Sequence, residues 1–593
     1  MKAYSLPPAL TADEKSLFLS LRKLLQKETL EDKFLELLAR RGIKNAQEFR
    51  EITEFDANIL YKQHENLPGL NKVAEILRTA LAAPKAYKVI VHGDYDVDGV
   101  CSTSLLWRFL YRDLKLDAVP FVPSRQKDGY GLNLKNIEKL IADNADKEII
   151  LWAVDCGIRD EALIKELKDK YPQLQVIIGD HHQLPTKGIV EYEKLAVIVH
   201  PMHPDSKVSP KEICATAVVW LSIQGLKELL KIELHDDYLE LVAIATICDV
   251  MPLRGFNRWV VKQGLTALMQ TKVEGLKSLL QVSGLGSKPI GTYEVGFVLG
   301  PRLNAAGRID HAITAVKLLC TDSPTTGYEL AVKLNELNIS RQDITLEAVT
   351  AVTSALDEKH KDVEIFRSEH FMVAKFNTLP EGIVGLISGK LLEWQSLANI
   401  VFTKNEAGNF VGSARSHNKF DITASLNEHS TLLIKYGGHA QAAGLTVSEE
   451  QFANFTEKIL AYADNNLVEV DYQTQTIFAH LAVTLNELSP SLLAQLDNLA
   501  PFGQENERVM LALTYNGGIG AQKLGKEGVH LKLLLKEAAS SPFEFLAFNY
   551  GKRGLDLKFL EEDSAKVIFG TLGYNEFRGV IKPQFYVDAV TPA

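Results

Sequence analysis

Four short runs rich in β-branched residues, KVIV (88–91), EIILWAV (148–154), QVIIG (175–179) and LAVIV (195–199), are separated by stretches of helical pattern. Strands that are apolar on both faces and joined by long crossovers belong to a parallel sheet covered by helices. The spacing therefore predicts an α/β layer. Each run also leads into groups that bind cations: HGDYDVDG (92–99) after the first, Asp155 after the second, Asp180-His181-His182 after the third, and His200 after the fourth. Open α/β sheets place their ligands beyond the carboxyl ends of the strands, so all of these groups can converge on one crevice. A further acid, Asp249, closes the apolar, helix-like run LVAIATICDVMPL.

The rest of the 593-residue chain is too long for one core and divides by pattern. Residues 1–75 read as short amphipathic helices, with LSLRKLLQ and KFLELLARRG clearest and Gly42 a stop, and are expected to form an accessory cap. The sheet region runs over 76–326. Residues 327–361 form a connector: from Tyr328 to Lys361 there is no Gly or Pro, and a continuous helix there would span about 50 Å. Two helices with a break at 338–340 are the alternative. A second, smaller α/β domain is expected over 362–455, with strands FMVAKF, ANIVFT and NFVGSA around the helix EGIVGLISGKLLEW. Closely spaced strands over 466–593 suggest a small β-barrel.

Net charge is −10, so a polyanionic partner would have to be met by local positive patches. The five cysteines, with no CxxC pair, exclude a zinc ribbon and a disulfide framework. No run of about 18 uncharged apolar residues occurs and the first residues lack a signal-peptide core. No membrane association and a cytoplasmic location are expected.

Three carboxylates and a histidine within eight residues invite a calcium-loop reading. Asp94, Asp96, Asp98 and Gly99 fit positions 1, 3, 5 and 6 of an EF-hand, but position 12 falls on Leu105, and the segment follows a strand. A single Asp after a strand is commonly a helix cap. At least five acids and two histidines at one sheet edge are different, because unpaired carboxylates a few Å apart repel strongly. Divalent cations remove that repulsion, and mixed carboxylate and imidazole ligation suits manganese or a similar first-row ion, or magnesium.

HGDYDVDG, VDCG, GDHH and ICDVMPL, in that order, resemble the successive motifs of the DHH phosphoesterase superfamily. GPRLNAAGRI (300–309) extends the match, and GGHAQAAG (437–444) resembles the glycine-rich signature of the DHH-associated domain. The resemblance implies a parallel-sheet DHH domain, a long connector helix, a smaller α/β DHH-associated domain and a C-terminal OB-like β-barrel. It implies that Asp96, Asp98, Asp155, His181 and Asp249 ligate two metal ions, with Asp155 the bridge. His92 is either a ligand or an outer-shell residue. Asp94 is expected to orient the loop or a water, Asp180 to hold a histidine in its tautomer, and His182 to contact a phosphate oxygen or protonate the leaving oxygen.

Phosphate contacts are expected from Arg125 in PSRQKDGYG and from Arg302, Asn304 and Arg308 in GPRLNAAGR. In the smaller domain the candidates are Arg415 in GSARS and Gly437, Gly438 and His439, although a helix-entry turn explains those glycines equally well. Phe502 and Phe577 are candidates for base stacking. The activity implied by the resemblance is 5′-to-3′ hydrolysis of single-stranded DNA to mononucleotides in repair and recombination, by a monomer that meets a single-strand-binding protein and a helicase. A phosphodiesterase acting on nanoRNA or cyclic dinucleotides is the alternative, against which the β-rich tail counts.

Overall fold

The computed structural model describes residues 2–593 except 27, 54–61, 130, 287, 357–359, 396, 418–419, 467–474, 526–527, 537–540, 554 and 578–579. It divides into two compact units, one formed by residues 61–251 and 260–472, the other by 1–60, 252–259 and 473–593.

The first unit is built on a five-stranded, wholly parallel sheet in the order Ala118–Phe121, Tyr87–His92, Glu148–Val154, Gln175–Gly179, Val197–Val199. Its central strand Glu148–Val154 is buried at every position after Glu148, which explains the unbroken apolar run. The chain leaves Tyr87–His92, adds Ala118–Phe121 on one side, then crosses to Glu148–Val154 on the other. That reversal opens a crevice between the first and third strands in chain order, where doubly wound sheets hold ligands. The helix Leu239–Cys248 is buried on nearly all sides and ends at Asp249, its C-cap.

The connector is one continuous helix, Pro324–Ala355, with Ser323 accepting from the Thr326 N–H at its start. No break occurs at 338–340: Asn338 is buried within the helix and hydrogen-bonds Arg341 one turn on. The smaller α/β domain follows as a six-stranded mixed sheet in the order Leu433–His439, Ala442–Val447, Phe410–Arg415, Ala398–Lys404, Phe371–Phe376, Val363–Arg367. Its packing continues past residue 455. The helix Phe452–Asn466 sends Phe455, Ile459 and Ala463 into the same core, so a boundary at 455 would cut that helix.

The second unit corrects the expectation of an N-terminal accessory cap. Its β-portion is a seven-stranded sheet in the order Leu481–Val483, Leu511–Asn516, Ala565–Phe577, Val580–Pro592, Glu544–Ala547, His530–Leu535, Ile519–Leu524. The helices Ala12–Leu24 and Asp32–Arg40 contribute Leu21, Phe34, Leu35, Leu37 and Leu38 to one core with Leu481, Leu511, Leu531, Phe545 and Phe585. Lys2–Ser5 pairs in parallel with Gln475–Phe478. The early helices are thus part of the β-rich unit. The boundary drawn at residue 75 fails for a second reason, because the helix Leu70–Ala82 spans it within the other unit. Phe34 is 1% exposed in the shared core, so Phe34→Ala is expected to destabilise this unit by about 3–5 kcal/mol. Chemical denaturation followed by near-UV signal would measure it, and an unchanged midpoint would contradict a shared core.

All five cysteines are free thiols. Among the described residues no helix is long and apolar enough to cross a membrane.

Candidate metal centre

The loop after Tyr87–His92 is held against the helix it introduces. A Cβ on Gly99 would lie 2.5 Å from the Asp94 carbonyl oxygen, so only glycine permits the fold-back. Asp96 is the N-cap of the helix Val97–Arg108 and accepts from the Gly99 N–H at 3.0 Å. Asp98, in the first turn and 2% exposed, accepts from the Ala215 N–H at 2.6 Å, the Thr216 N–H at 2.8 Å and the Thr216 hydroxyl at 2.6 Å. Those amides open the 16-residue helix Ala215–Leu230, whose positive end helps to hold a buried carboxylate. Asp155 follows Glu148–Val154 with a left-handed φ of 59°, a strained conformation of a kind that clusters at functional sites. The Asp180 carboxylate accepts from the N–H groups of Ile158, His181 and His182 and, at 2.8 Å, from His182 Nδ1.

These elements meet in overlapping groups whose ligand atoms lie within 4.8 Å of one another: Asp94, Asp96 and Asp155; Asp155, His181 and His182; Asp98, His181 and Asp249. His181 Nε2 lies 3.3 Å from Asp155, 3.6 Å from Asp249 and 3.7 Å from Asp98. Burial foremost, and then the carboxylates of Asp98, Asp96 and Asp94, raise the pKa of Asp155 well above the ordinary carboxylate range; burial also raises that of Asp98, with His181 and Thr216 opposing the shift and Asp96 adding to it. Asp94 and Asp249 are pushed up to about 8, again first by burial and then by Asp96 for the former and Asp98 for the latter. Buried Asp94 Oδ1 and Asp249 Oδ2 have no hydrogen-bond partner among the described residues. Oxygen and imidazole donors, crowded like charge and two orphan carboxylate oxygens together fit divalent cations. Among the described residues no cysteine belongs to these ligand groups, and burial pushes the Cys156 and Cys214 thiols well above the usual range.

All five residues expected as ligands, Asp96, Asp98, Asp155, His181 and Asp249, fall in these groups, and Asp155 belongs to two of them. Asp94 and His182, assigned other roles from the sequence, are drawn in as well. His92 is in none. Its ring is fully buried, with Nδ1 3.8 Å from Cys156 Sγ and the ring centroid 5.1 Å from that of Phe121. Burial lowers its basicity to about 4, and its Nε2 has no hydrogen-bond partner among the described residues. Asp180 binds His182 Nδ1 as expected and so fixes the ring. Burial alone would raise Asp180, but the hydrogen bond and charge of His182 prevail and hold it well below the carboxylate range. His200 is structural: Nε2 lies 2.9 Å from the His182 carbonyl and Nδ1 accepts from the Met202 N–H.

The guanidinium groups divide into two sets. Arg302 is committed to the fold, donating to Asn335 at 3.0 Å and to the Val298 carbonyl at 2.7 Å, and so ties its helix to the connector. Asn304 is half-buried on the same helix, Gly300–Ile309. By contrast Arg125, Arg308, Arg341 and Arg415 are close enough for the other three to depress Arg308, which burial foremost lowers to about 10. None of the four forms an ion pair among the described residues. Arg125 lies 3.9 Å over the Tyr95 ring and its buried Nε has no hydrogen-bond partner, as is true of Arg341 Nε. Arg308 donates to the Gly382 carbonyl at 3.0 Å, and Arg415 to Ser413 Oγ at 2.9 Å. Gly307 lets this helix touch the acidic loop, since a Cβ there would lie 2.4 Å from the Tyr95 carbonyl oxygen.

Sequence reasoning missed Arg341 and Thr216. Arg341 had a signal: on the connector helix it has no acid three or four residues away in either direction. Thr216 had none, because its partner lies 118 residues earlier. Gly437, Gly438 and His439 form no helix-entry turn; they end the exposed edge strand Leu433–His439 of a hairpin. Phe502 is half-buried against the core with Arg508 4.8 Å above its ring, which removes it as an exposed stacking surface. The Phe577 side chain lies outside the described residues.

Three family models match the chain: the DHH family N-terminal domain over residues 88–246, the DHHA1 domain over 368–465 and the RecJ OB domain over 480–589. A Bacillus subtilis protein named single-stranded-DNA-specific exonuclease RecJ is 31% identical over 516 residues, covering 86% of this chain and 62% of that protein. The Salmonella typhimurium protein of the same name is 29% identical over 584 residues, covering 94% and 95%. The chain thus spans under two thirds of the first relatives it matches, 62% of the Bacillus protein and 65% of its Thermus thermophilus counterpart. The crystal structure of RecJ from Thermus thermophilus in complex with Mn2+ superimposes with a TM-score of 0.77 at 25% identity, over 100% of this chain and 80% of that one. The chain thus matches, in order, the DHH family N-terminal domain, the DHHA1 domain and the RecJ OB domain, and is similar along most of its length to proteins named RecJ.

Proposed function

We propose that the chain is a metal-dependent exonuclease that hydrolyses single-stranded DNA from the 5′ end to mononucleotides. The observation that carries the reading is the meeting of five carboxylates and two histidines, two of their oxygens without a hydrogen bond among the described residues, in a unit that also holds four guanidiniums that form no ion pair among those residues. The acids fit cations and the guanidiniums fit phosphate oxygens. A phosphodiester engaged by metals and arginines together satisfies both. The strand specificity and polarity come from the relatives' name and the family resemblance.

Asp96, Asp98, Asp155, His181 and Asp249 would hold two ions, manganese or magnesium, with Asp155 the candidate shared by two of the ligand groups and Asp94 in one of them. Bound there, two ions lower the pKa of a water and clamp a phosphate for in-line displacement. The protein's own groups do the rest. Asp180 fixes the His182 ring through Nδ1, so that Nε2 can serve a phosphate oxygen or the proton of the leaving oxygen. Arg125, Arg308 and Arg415 position phosphates, with Arg125 held over the Tyr95 ring. The connector Pro324–Ala355 sets the DHH and DHHA1 portions around a path that admits one strand. The β-rich unit binds further strand, and a single-strand-binding protein and a helicase are the partners expected for a monomer of this kind, in repair and recombination within the cytoplasm.

The test is digestion of a 5′-phosphorylated, 3′-labelled single strand with manganese, with magnesium or with EDTA, beside the blunt duplex and a dinucleotide. Stepwise shortening of the single strand from its 5′ end, abolished by EDTA, is expected. Cleavage of the dinucleotide alone would overturn the reading.

A further inference from the structure

Residues 292–309 run as a continuous helical rod interrupted by a π-turn: Thr292–Glu294, then Val295–Leu299 with the wider bonding, then Gly300–Ile309. A π-turn adds one residue to the helix, which rotates everything before it by about 100° relative to the turns beyond it, and such turns are frequent at functional sites. Two large rings are left in solvent on this rod. Tyr293 is 65% exposed and Phe297 70% exposed, and they stack on each other with centroids 4.9 Å apart and 27° between planes. The fold gains nothing by leaving both in water. The intervening Glu294 is occupied, accepting from the Gly291 N–H at 2.8 Å to cap the rod.

The position of the pair is informative. A Cβ on Gly296 would lie 3.6 Å from the Ile247 side chain, and one on Gly300 2.5 Å from Cys248 Sγ, so the rod packs on the helix end that delivers Asp249 to the metal-ligand groups. Val250, the next residue, is 63% exposed and left-handed with φ 55°, which adds a third apolar group beside that end. About 16 Å farther along the rod from Phe297 is Arg308, a member of the unpaired guanidinium set. Rings near one end and unmatched positive charge near the other call for an occupant with flat apolar faces and regularly spaced negative charges. A single-stranded nucleic acid has both; a protein surface would use the rings and leave the arginines without partners.

We propose that Tyr293 and Phe297 form a stacking platform for bases of the strand beside the cleavage site, gripping it without regard to sequence. The proposal rests on the nuclease reading given above. The experiment uses the full chain in EDTA and a single strand carrying 2-aminopurine, whose emission falls on stacking, beside a matching strand with abasic sites in place of bases. The variant Tyr293→Ala/Phe297→Ala is expected to bind the base-containing strand roughly ten-fold or more weaker and to lose the quench. The abasic strand should bind both proteins alike, and Tyr293→Phe/Phe297→Tyr should restore affinity and quench. Equal affinity of wild type and the alanine variant for the base-containing strand, or an equal loss on the abasic strand, overturns the platform. Digestion with manganese is run in parallel: a wild type that degrades the strand while the alanine variant binds normally defeats the platform alone, whereas a wild type that neither binds nor degrades it defeats the nuclease reading and the platform together.

Discussion

Asp155→Asn is expected to lower metal-dependent hydrolysis by more than about 10²-fold and, in the absence of metal, to raise the melting temperature. Both effects have one origin. Asp155 is 2% exposed, and its charge is opposed by burial and by Asp98, Asp96, Asp94 and Asp180. Removing the charge relieves that repulsion in the metal-free protein. The same change takes a donor from two of the three ligand groups, so cations bind less well and stabilise less. Asparagine is the better probe than alanine because it tolerates the left-handed φ of 59°. Thermal melts of both proteins with EDTA and with manganese, beside turnover on a labelled strand, decide the matter. Unchanged turnover would remove Asp155 from the bridging position.

His182→Ala is expected to reduce kcat by about 10²- to 10⁴-fold while moving the manganese midpoint less than about three-fold. Asp180 holds Nδ1 at 2.8 Å, and the ring is held more basic than usual: burial opposes this, but the hydrogen bond and charge of Asp180 outweigh it. A residue held in that way suits phosphate contact or proton delivery. Because His182 also lies within ligand reach of Asp155 and His181, the metal titration is the discriminating measurement. A large rise in the manganese requirement, with kcat recovered at saturation, would make it a ligand instead.

The parallel sheet was legible because strands buried on both faces must be apolar throughout, and Glu148–Val154 and Gln175–Gly179 lie where the pattern put them. The convergence of acids was legible for the same reason, since strand ends fix where their following residues go. The continuous connector could be read from the absence of helix breakers. What escaped were relations between distant segments. Nothing in KAYS marks it as a strand until Gln475–Phe478 lies beside it, and the amphipathic face of Asp32–Arg40 does not say which core it serves. The hold of Thr216 on Asp98, and the proximity of Arg125, Arg341 and Arg415 to Arg308, likewise depend on tertiary packing.

The shared core of the second unit bears on how the chain is made. The helices that end by Thr53 supply one side of that core, and the strands that complete it begin at Leu481, about 430 residues later. At ribosomal rates of about 5–20 residues per second, Phe34, Leu35, Leu37 and Leu38 wait for roughly 20–90 s for the strands that complete their core. Throughout that interval the sheet unit emerges and can close on itself. An early apolar segment whose partner strands are made last is a natural client for chaperones, and its core closes only when two remote pieces of one polypeptide meet.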